Sequence, residues 1–259
     1  MMQLDDVVSS VNVDFSRFVE ATDRSIRWLD RCIAAHSRKD EQNLFGIIQG
    51  GLDVSPGGLR EKCLNEMIKR DLPGYAIGGL AGGEDKDLFW RVVAHNAEHL
   101  PSNKPRYLMG VGYPLDLVVC VALGVDMFDC VYPSRTARFG VALVPSGMLK
   151  LRGTEFSSQN ESVDSTCSCY TCRYYSRGFL HAAFRDSNAL GPQLLTKHNI
   201  SYMMKLMRDM RRAIIDGDVA YHRFINDFLS KQFGTKDLIP KWVVDALTHA
   251  GVPIEFPAE

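Results

Sequence analysis

Val125-Asp126-Met127-Phe128-Asp129-Cys130-Val131-Tyr132-Pro133-Ser134-Arg135-Thr136-Ala137-Arg138-Phe139-Gly140 is the stretch on which the fold turns. It opens as a short apolar run of the kind that forms a buried strand, with Asp129 at its C-terminal end. Pro133 predicts the end of that run, and a loop carrying Arg135 and Arg138 beyond it. A carboxylate at the tip of a buried strand, beside two arginines, suits a nucleophile or acid/base facing a phosphate-bearing substrate. Taken alone, such an aspartate more often caps the next element or pairs with an arginine. The sequence on either side has to decide.

Upstream, the same strand-then-helix unit repeats. Residues 1–7 read as the tail of a strand with Asp5 and Asp6 at its end. Residues 15–36 form an amphipathic helix with Phe18, Val19, Thr22, Ile26, Leu29 and Ile33 on one face. Apolar runs at 43–49, 74–80 and 105–111 predict strands, and 57–70, 87–100 and 116–123 predict helices between them. Each strand candidate ends in a residue able to touch a ligand: Asp5, Gln49, Gly79, Met109 and Asp129. Alternating β and α units imply a parallel sheet. Ligand-type residues at the C-terminal strand ends fit the active face of a (β/α)8 TIM-type barrel, and an open doubly wound sheet shares that feature. No Gly-x-Gly-x-x-Gly follows the first strand, so a dinucleotide site has little support.

Downstream, 141–144 and 148–151 flank Pro145-Ser146-Gly147 and predict a β-hairpin. A polar loop at 153–166 leads to helices at 174–184, 198–214, 222–233 and 240–250. The chain therefore divides into βα units over 1–140 and a hairpin, a cysteine cluster and helices over 141–259. Cys167, Cys169 and Cys172 form C-x-C-x2-C, a spacing that places three thiolates around one tetrahedral Zn2+. His181 and His198 are both near enough to supply the fourth ligand, although His181 sits in an apolar run that suits packing on a helix face.

Composition narrows the class. With 259 residues and 46% hydrophobic content, the chain can bury a substantial core. A net charge of −1 excludes a globally basic nucleic-acid binder, so any RNA contact has to come from a local patch. Seven cysteines, four scattered singly in apolar contexts and three clustered, predict buried thiols and a metal site rather than a disulfide framework. No apolar run approaches 18 residues and no signal peptide is apparent, which predicts a soluble, cytoplasmic protein without a transmembrane segment.

Phe128-Asp129-Cys130-Val131-Tyr132-Pro133-Ser134-Arg135-Thr136-Ala137-Arg138 resembles the nucleophile segment of the tRNA-guanine transglycosylases. Within that family it is most similar to the eukaryotic-type queuine tRNA-ribosyltransferases, on the catalytic-subunit side. The resemblance runs from about Leu4 to the C-terminal helices. It implies exchange of the wobble guanine of tRNAs with a GUN anticodon for queuine, through a covalent ribosyl-aspartate at Asp129. It further implies that Asp5, Gln49, Gly79, Leu80, Tyr107 and Met109 bind the base, and that Arg135 and Arg138 read uridines beside the target guanine in the anticodon loop. Val7 and Gly82 stand where bacterial relatives carry cysteine and valine, and the small Gly82 leaves room for queuine. His198, in a segment like Leu-x-x-His-Asn, becomes the implied fourth ligand of a structural zinc.

The family also implies a heterodimer with a related non-catalytic subunit and peripheral association with the mitochondrial outer membrane. Its fold is the (β/α)8 barrel with a zinc-bearing subdomain. The family carries about three βα units, including a second catalytic aspartate in a Ser-Asp-Ser-Gly-Gly-Phe-like segment, ahead of the position matching Asp5. The expectation is therefore a barrel lacking its first βα units. Two rivals stay open: a non-catalytic zinc-containing tRNA-binding or regulatory isoform, and another barrel enzyme such as a glycoside hydrolase. The hydrolase needs a second carboxylate at a fixed spacing from Asp129 and leaves the cysteine cluster unexplained.

Overall fold

Short apolar strands buried on both faces, joined by amphipathic helices, are what a parallel sheet requires. The computed structural model describes residues 1–12, 14–186 and 188–256. In it the apolar runs form β1 (Gly46–Ile48), β2 (Tyr75–Ile77), β3 (Arg106–Leu108) and β4 (Met127–Phe128). All pair in parallel, in the order β1-β2-β3-β4. Sheet order follows chain order with no reversal, as in the TIM-type barrel; a doubly wound sheet reverses at a switch point.

The connecting helices are α1 (Phe15–Ala35), α2 (Leu59–Ile68), α3 (Lys86–His99) and α4 (Pro114–Ala122). Asp14 caps α1 by accepting from the Ser16 and Arg17 N–H groups. Ile47, Ile48, Ala76, Ile77 and Leu108 on the strands, with Leu64, Val92 and Val118 on the helices, are fully buried. The strand predicted at 1–7 is reduced to one parallel bridge, Met2 to Phe45. Side chains hold that segment instead. Gln3 donates to the Ser25 carbonyl (3.0 Å) and accepts from the Ile47 N–H (3.0 Å). Asp6, one residue beyond Asp5, ion-pairs with Arg17 and Arg24 on α1, each at 2.5 Å.

At the C-terminal ends of β1 and β2 lies a fully buried arginine. Arg60 donates to the carbonyls of Ile48 (2.9 Å), Gly78 (3.0 Å) and Gly51 (2.6 Å). Gly50, at φ +125°, is required here because a Cβ would stand 2.5 Å from the backbone nitrogen of Arg60.

The chain divides into two compact units, one of residues 1–111, 115–130 and 241–252, the other of 112–114, 131–240 and 253–259. In the second unit α5 (Tyr132–Arg138) precedes β5 (Val141–Val144) and β6 (Gly147–Lys150), which pair antiparallel. Then come α6 (Tyr170–Tyr174), α7 (Arg177–Arg185), α8 (Leu190–Ile215) and α9 (Asp218–Phe233). In the first unit α10 (Lys241–His249) packs on α3.

Three local predictions are corrected. Where the sequence predicts a loop after Pro133, the chain forms α5, because a proline in the first turn forfeits no helical hydrogen bond. The helix predicted over 174–184 starts at Arg177, where Ser176 caps it by accepting from the Phe179 N–H, and a separate short helix, α6, precedes it. The helix predicted to begin at His198 begins at Leu190, which sets His198 well inside it. No helix of the described residues is long and apolar enough to cross a membrane.

Replacing Arg60 with methionine removes its hydrogen bonds to three carbonyls at the strand ends while keeping an unbranched side chain. Urea unfolding should show a loss of about 3 kcal/mol or more. A loss below about 1 kcal/mol would contradict this role.

Candidate active site and metal centre

The base-site residues expected from the sequence lie together at the strand ends of the first unit. Gln49, next after β1, is buried, and its Nε2 donates to the Asp5 carboxylate at 2.6 Å. Its Oε1 lies against Gly79, where a Cβ would collide with it, and Gly79 has φ +71°. The Gly78-Gly79 pair thus lets a carboxamide pack against the tip of β2 with no side chain between them. Leu80 follows, half-buried. Burial pushes the Asp5 carboxyl above its ordinary range, and the Gln49 hydrogen bond partly opposes that shift.

On β3, Tyr107 pairs with Ala76 on one side and Met127 on the other. Burial first, and the Asp129 carboxylate beside it second, push its hydroxyl pKa up, which keeps a neutral donor facing a carboxylate. Met109, past the end of β3, donates its N–H to the Ile77 carbonyl (3.3 Å). Asp129 follows β4 and is exposed. Its Oδ1 accepts the Gly110 N–H at 3.0 Å, and Gly110 holds φ +74°, a conformation that favours glycine. The carboxylate is therefore aimed by one backbone donor and one phenol while staying accessible.

Val7 is exposed at 64% and Gly82 is exposed. Gly82 has a local reason that sequence alone did not suggest: a Cβ there would stand 2.6 Å from the Ser10 hydroxyl. Glu84 gathers this loop, accepting from the N–H groups of Ala81 (2.7 Å) and Gly82 (2.9 Å) and from Ser10 (2.5 Å). Burial opposes its ionisation, but these donors outweigh burial and hold its pKa below the ordinary value. Arg60, Glu84 and Gly110 were missed at sequence level; an arginine in a helical stretch and a glutamate before a helix look like ordinary surface residues.

In the second unit, Arg135 and Arg138 are exposed on α5. At i and i+3 they share one face of the helix. Cys167, Cys169, Cys172 and His198 converge, with their ligand atoms all within 4.8 Å of one another. The His198 Nδ1 lies 3.2 Å from the Cys172 sulfur and 3.6 Å from that of Cys169. Its Nε2–H donates to the Leu143 carbonyl at 2.9 Å, which leaves Nδ1 as the lone-pair nitrogen facing the sulfurs. Burial lowers the His198 pKa and keeps the ring neutral, as a metal ligand must be. Three thiols and one oriented imidazole fit tetrahedral Zn2+, whose ~2.3 Å bonds to sulfur demand this convergence. His181 is occupied elsewhere: it is buried, with Nδ1 3.0 Å from the Leu151 carbonyl. The four ligands could hold a zinc ion with no position left open, which is the pattern of a structural site.

Parallel βα units with a carboxylate and an amide gathered at the strand tips, and a Cys3His cluster that could hold zinc, define a TIM-barrel-type α/β fold with a candidate structural metal centre. The queuine tRNA-ribosyltransferase family profile matches residues 1–233. The chain is 49% identical over 261 residues to the queuine tRNA-ribosyltransferase catalytic subunit of Schizosaccharomyces pombe, covering 98% of this chain and 63% of the relative. It is 45% identical over 271 residues to the catalytic subunit of that name from Caenorhabditis elegans, covering 99% and 66%. To the queuine tRNA-ribosyltransferase of Thermus thermophilus it is 44% identical over 235 residues, covering 90% and 59%. The chain belongs to the queuine tRNA-ribosyltransferase family, a family of pentosyltransferases, and it spans just under two thirds of the length of these relatives.

Metal analysis of purified protein should give one zinc per chain, and His198→Ala should lower zinc affinity by about tenfold or more while His181→Ala leaves it unchanged. Equal zinc retention in both variants would remove His198 from the ligand set.

Proposed function

We propose that this chain carries the base-exchange chemistry of a tRNA-guanine transglycosylase, replacing the wobble guanine of tRNAs with a GUN anticodon by queuine. The observation that carries the reading is the Asp129 carboxylate at a strand tip, held by the Gly110 N–H beside Tyr107, within the same unit as the Asp5–Gln49 pair. Family membership supports it.

In the first step an Asp129 oxygen bonds to C1′ of the target ribose. The glycosidic bond breaks, its electron pair leaves on guanine, and guanine takes up a proton. In the second step the incoming base gives up a proton, attacks C1′ and releases the carboxylate. The RNA backbone is never cut, because the ester to Asp129 holds the ribose between steps. The target base has to leave its stack to reach the carboxylate.

Asp5 accepts from the purine N–H groups, Gln49 donates and accepts through its amide, and the Gly79 and Leu80 backbone meets the carbonyl edge. Tyr107 and Met109 hold the two faces of the base. Val7 and Gly82 set the room for queuine's ring substituent. Arg135 and Arg138 present planar guanidinium groups to unstacked uridines beside the guanine. The zinc, when bound by Cys167, Cys169, Cys172 and His198, supplies cross-linking of the fold and no chemistry. In this reading 1–140 carries the reaction and 141–259 the metal centre and helices. We further propose that the chain acts in the cytoplasm with a related non-catalytic subunit, peripherally at the mitochondrial outer membrane; the resemblance of its motifs to the eukaryotic-type enzymes supports this.

The test is exchange of labelled guanine into an anticodon stem-loop, with guanine and RNA affinities measured in parallel. Asp129→Asn should abolish exchange and leave both affinities within about twofold. Arg138→Ala should weaken RNA binding about tenfold and spare guanine binding. Exchange surviving in Asp129→Asn would remove the nucleophile, and equal losses of RNA and guanine binding in Arg138→Ala would sink the arginine's role.

A further inference from the structure

Next to the metal ligand His198 on α8 stands Asn199, fully buried and absent from the chemistry above. Its Oδ1 accepts the Leu143 N–H of β5 at 2.9 Å. Its Nδ2 donates to the carbonyls of Pro133 (3.0 Å) and Val141 (2.9 Å) and to Thr136 Oγ1 (3.2 Å). Two amide protons thus serve three acceptors, and the orientation of the amide is fixed, since the reversed amide would point its oxygen at three oxygens. Two of those acceptors, Pro133 and Thr136, belong to α5, the helix that bears Arg135 and Arg138.

A seven-residue helix anchored only by apolar contact has little to fix its rotation about its own axis. Ala137 is its one fully buried side chain, a smooth methyl that tolerates roll. Directional hydrogen bonds from a dry interior do not tolerate it, because any roll leaves a buried polar group unpaired. The clamp is itself held firmly. His198 Nε2 takes the Leu143 carbonyl while Asn199 takes the Leu143 N–H, so consecutive residues of α8 grip both polar atoms of one strand residue.

We propose that Asn199 is a positioning residue for RNA recognition: it sets the roll of α5 and so the direction in which Arg135 and Arg138 face the RNA. This rests on the reading of those two arginines given above. The isosteric Asn199→Asp keeps the shape and turns the donor into an acceptor against three oxygens. In the full chain it should weaken binding of a guanine-containing anticodon stem-loop about tenfold or more. It should also erase preference for uridine over cytidine beside the target guanine, while guanine affinity stays within about twofold and zinc stays at one per chain. Should Asn199→Asp fail to fold, Thr136→Val should lose the same preference and Thr136→Ser should restore it.

Arg138→Ala run alongside separates the two levels. If it loses RNA affinity and the uridine preference while Asn199→Asp and Thr136→Val keep both, the role of Asn199 is overturned and the arginine reading stands. If Arg138→Ala itself binds RNA normally, the arginine reading fails and this inference fails with it. If Asn199→Asp loses zinc and guanine binding together with RNA binding, Asn199 is structural only and the proposal is overturned.

Discussion

The Arg60 guanidinium is the constraint on which the strand-end site depends. Among the described residues no carboxylate hydrogen-bonds to it; backbone carbonyls at the ends of β1 and β2 accept its hydrogen bonds instead. Burial lowers its pKa to about 10, so it stays protonated at neutral pH. The neighbouring Cys63 thiol is pushed up to about 11 by burial and stays neutral, which avoids a buried thiolate while its sulfur accepts the Gln49 N–H. Two of the arginine's acceptors, Ile48 and Gly78, immediately precede Gln49 and Gly79. One cation thereby fixes two neighbouring strand tips of the candidate site. Without the arginine the Ile48 carbonyl keeps the Gly78 N–H, but the Gly51 and Gly78 carbonyls lose this donor in a dry interior, which costs more than the net value of one such bond.

A second polar device does comparable work in the other unit. His198 and Asn199 hold Leu143 by its carbonyl and its N–H, so the metal centre and the orientation of α5 share one turn of α8. A structural metal is often credited only with stapling a loop. Here the residue beside the ligand carries the geometry onward to the helix that bears Arg135 and Arg138.

Much of the candidate site's geometry was legible in the sequence because parallel βα units gather their exposed polar residues at strand ends. Gln49, Gly79, Met109 and Asp129 each close an apolar run, and C-x-C-x2-C is rare without a metal to explain it. The choice between His181 and His198 was not legible from spacing, since it depends on which imidazole reaches the sulfurs and which reaches Leu151. Pro133 was read as a break, yet it lies in a first turn, where no helical donor is needed. Arg60, Gln3 and Asn199 escaped because their partners are distant in sequence: nothing local marks a side chain whose role is to satisfy another element's backbone. Gly82 had two readings, room for a ligand and close approach of Ser10, and only coordinates reveal the second.

In the proposed reaction Asp129 forms a covalent bond to the RNA. The most direct measurement is intact mass under denaturing conditions, after incubation of the protein with an anticodon stem-loop under conditions that trap the ribosyl ester. The expected product is a protein-plus-RNA adduct lighter than the simple sum by one guanine, mapped by digestion to Asp129, and absent from Asp129→Asn. Guanine exchange proceeding with no such adduct, or an adduct mapping to another residue, would contradict it.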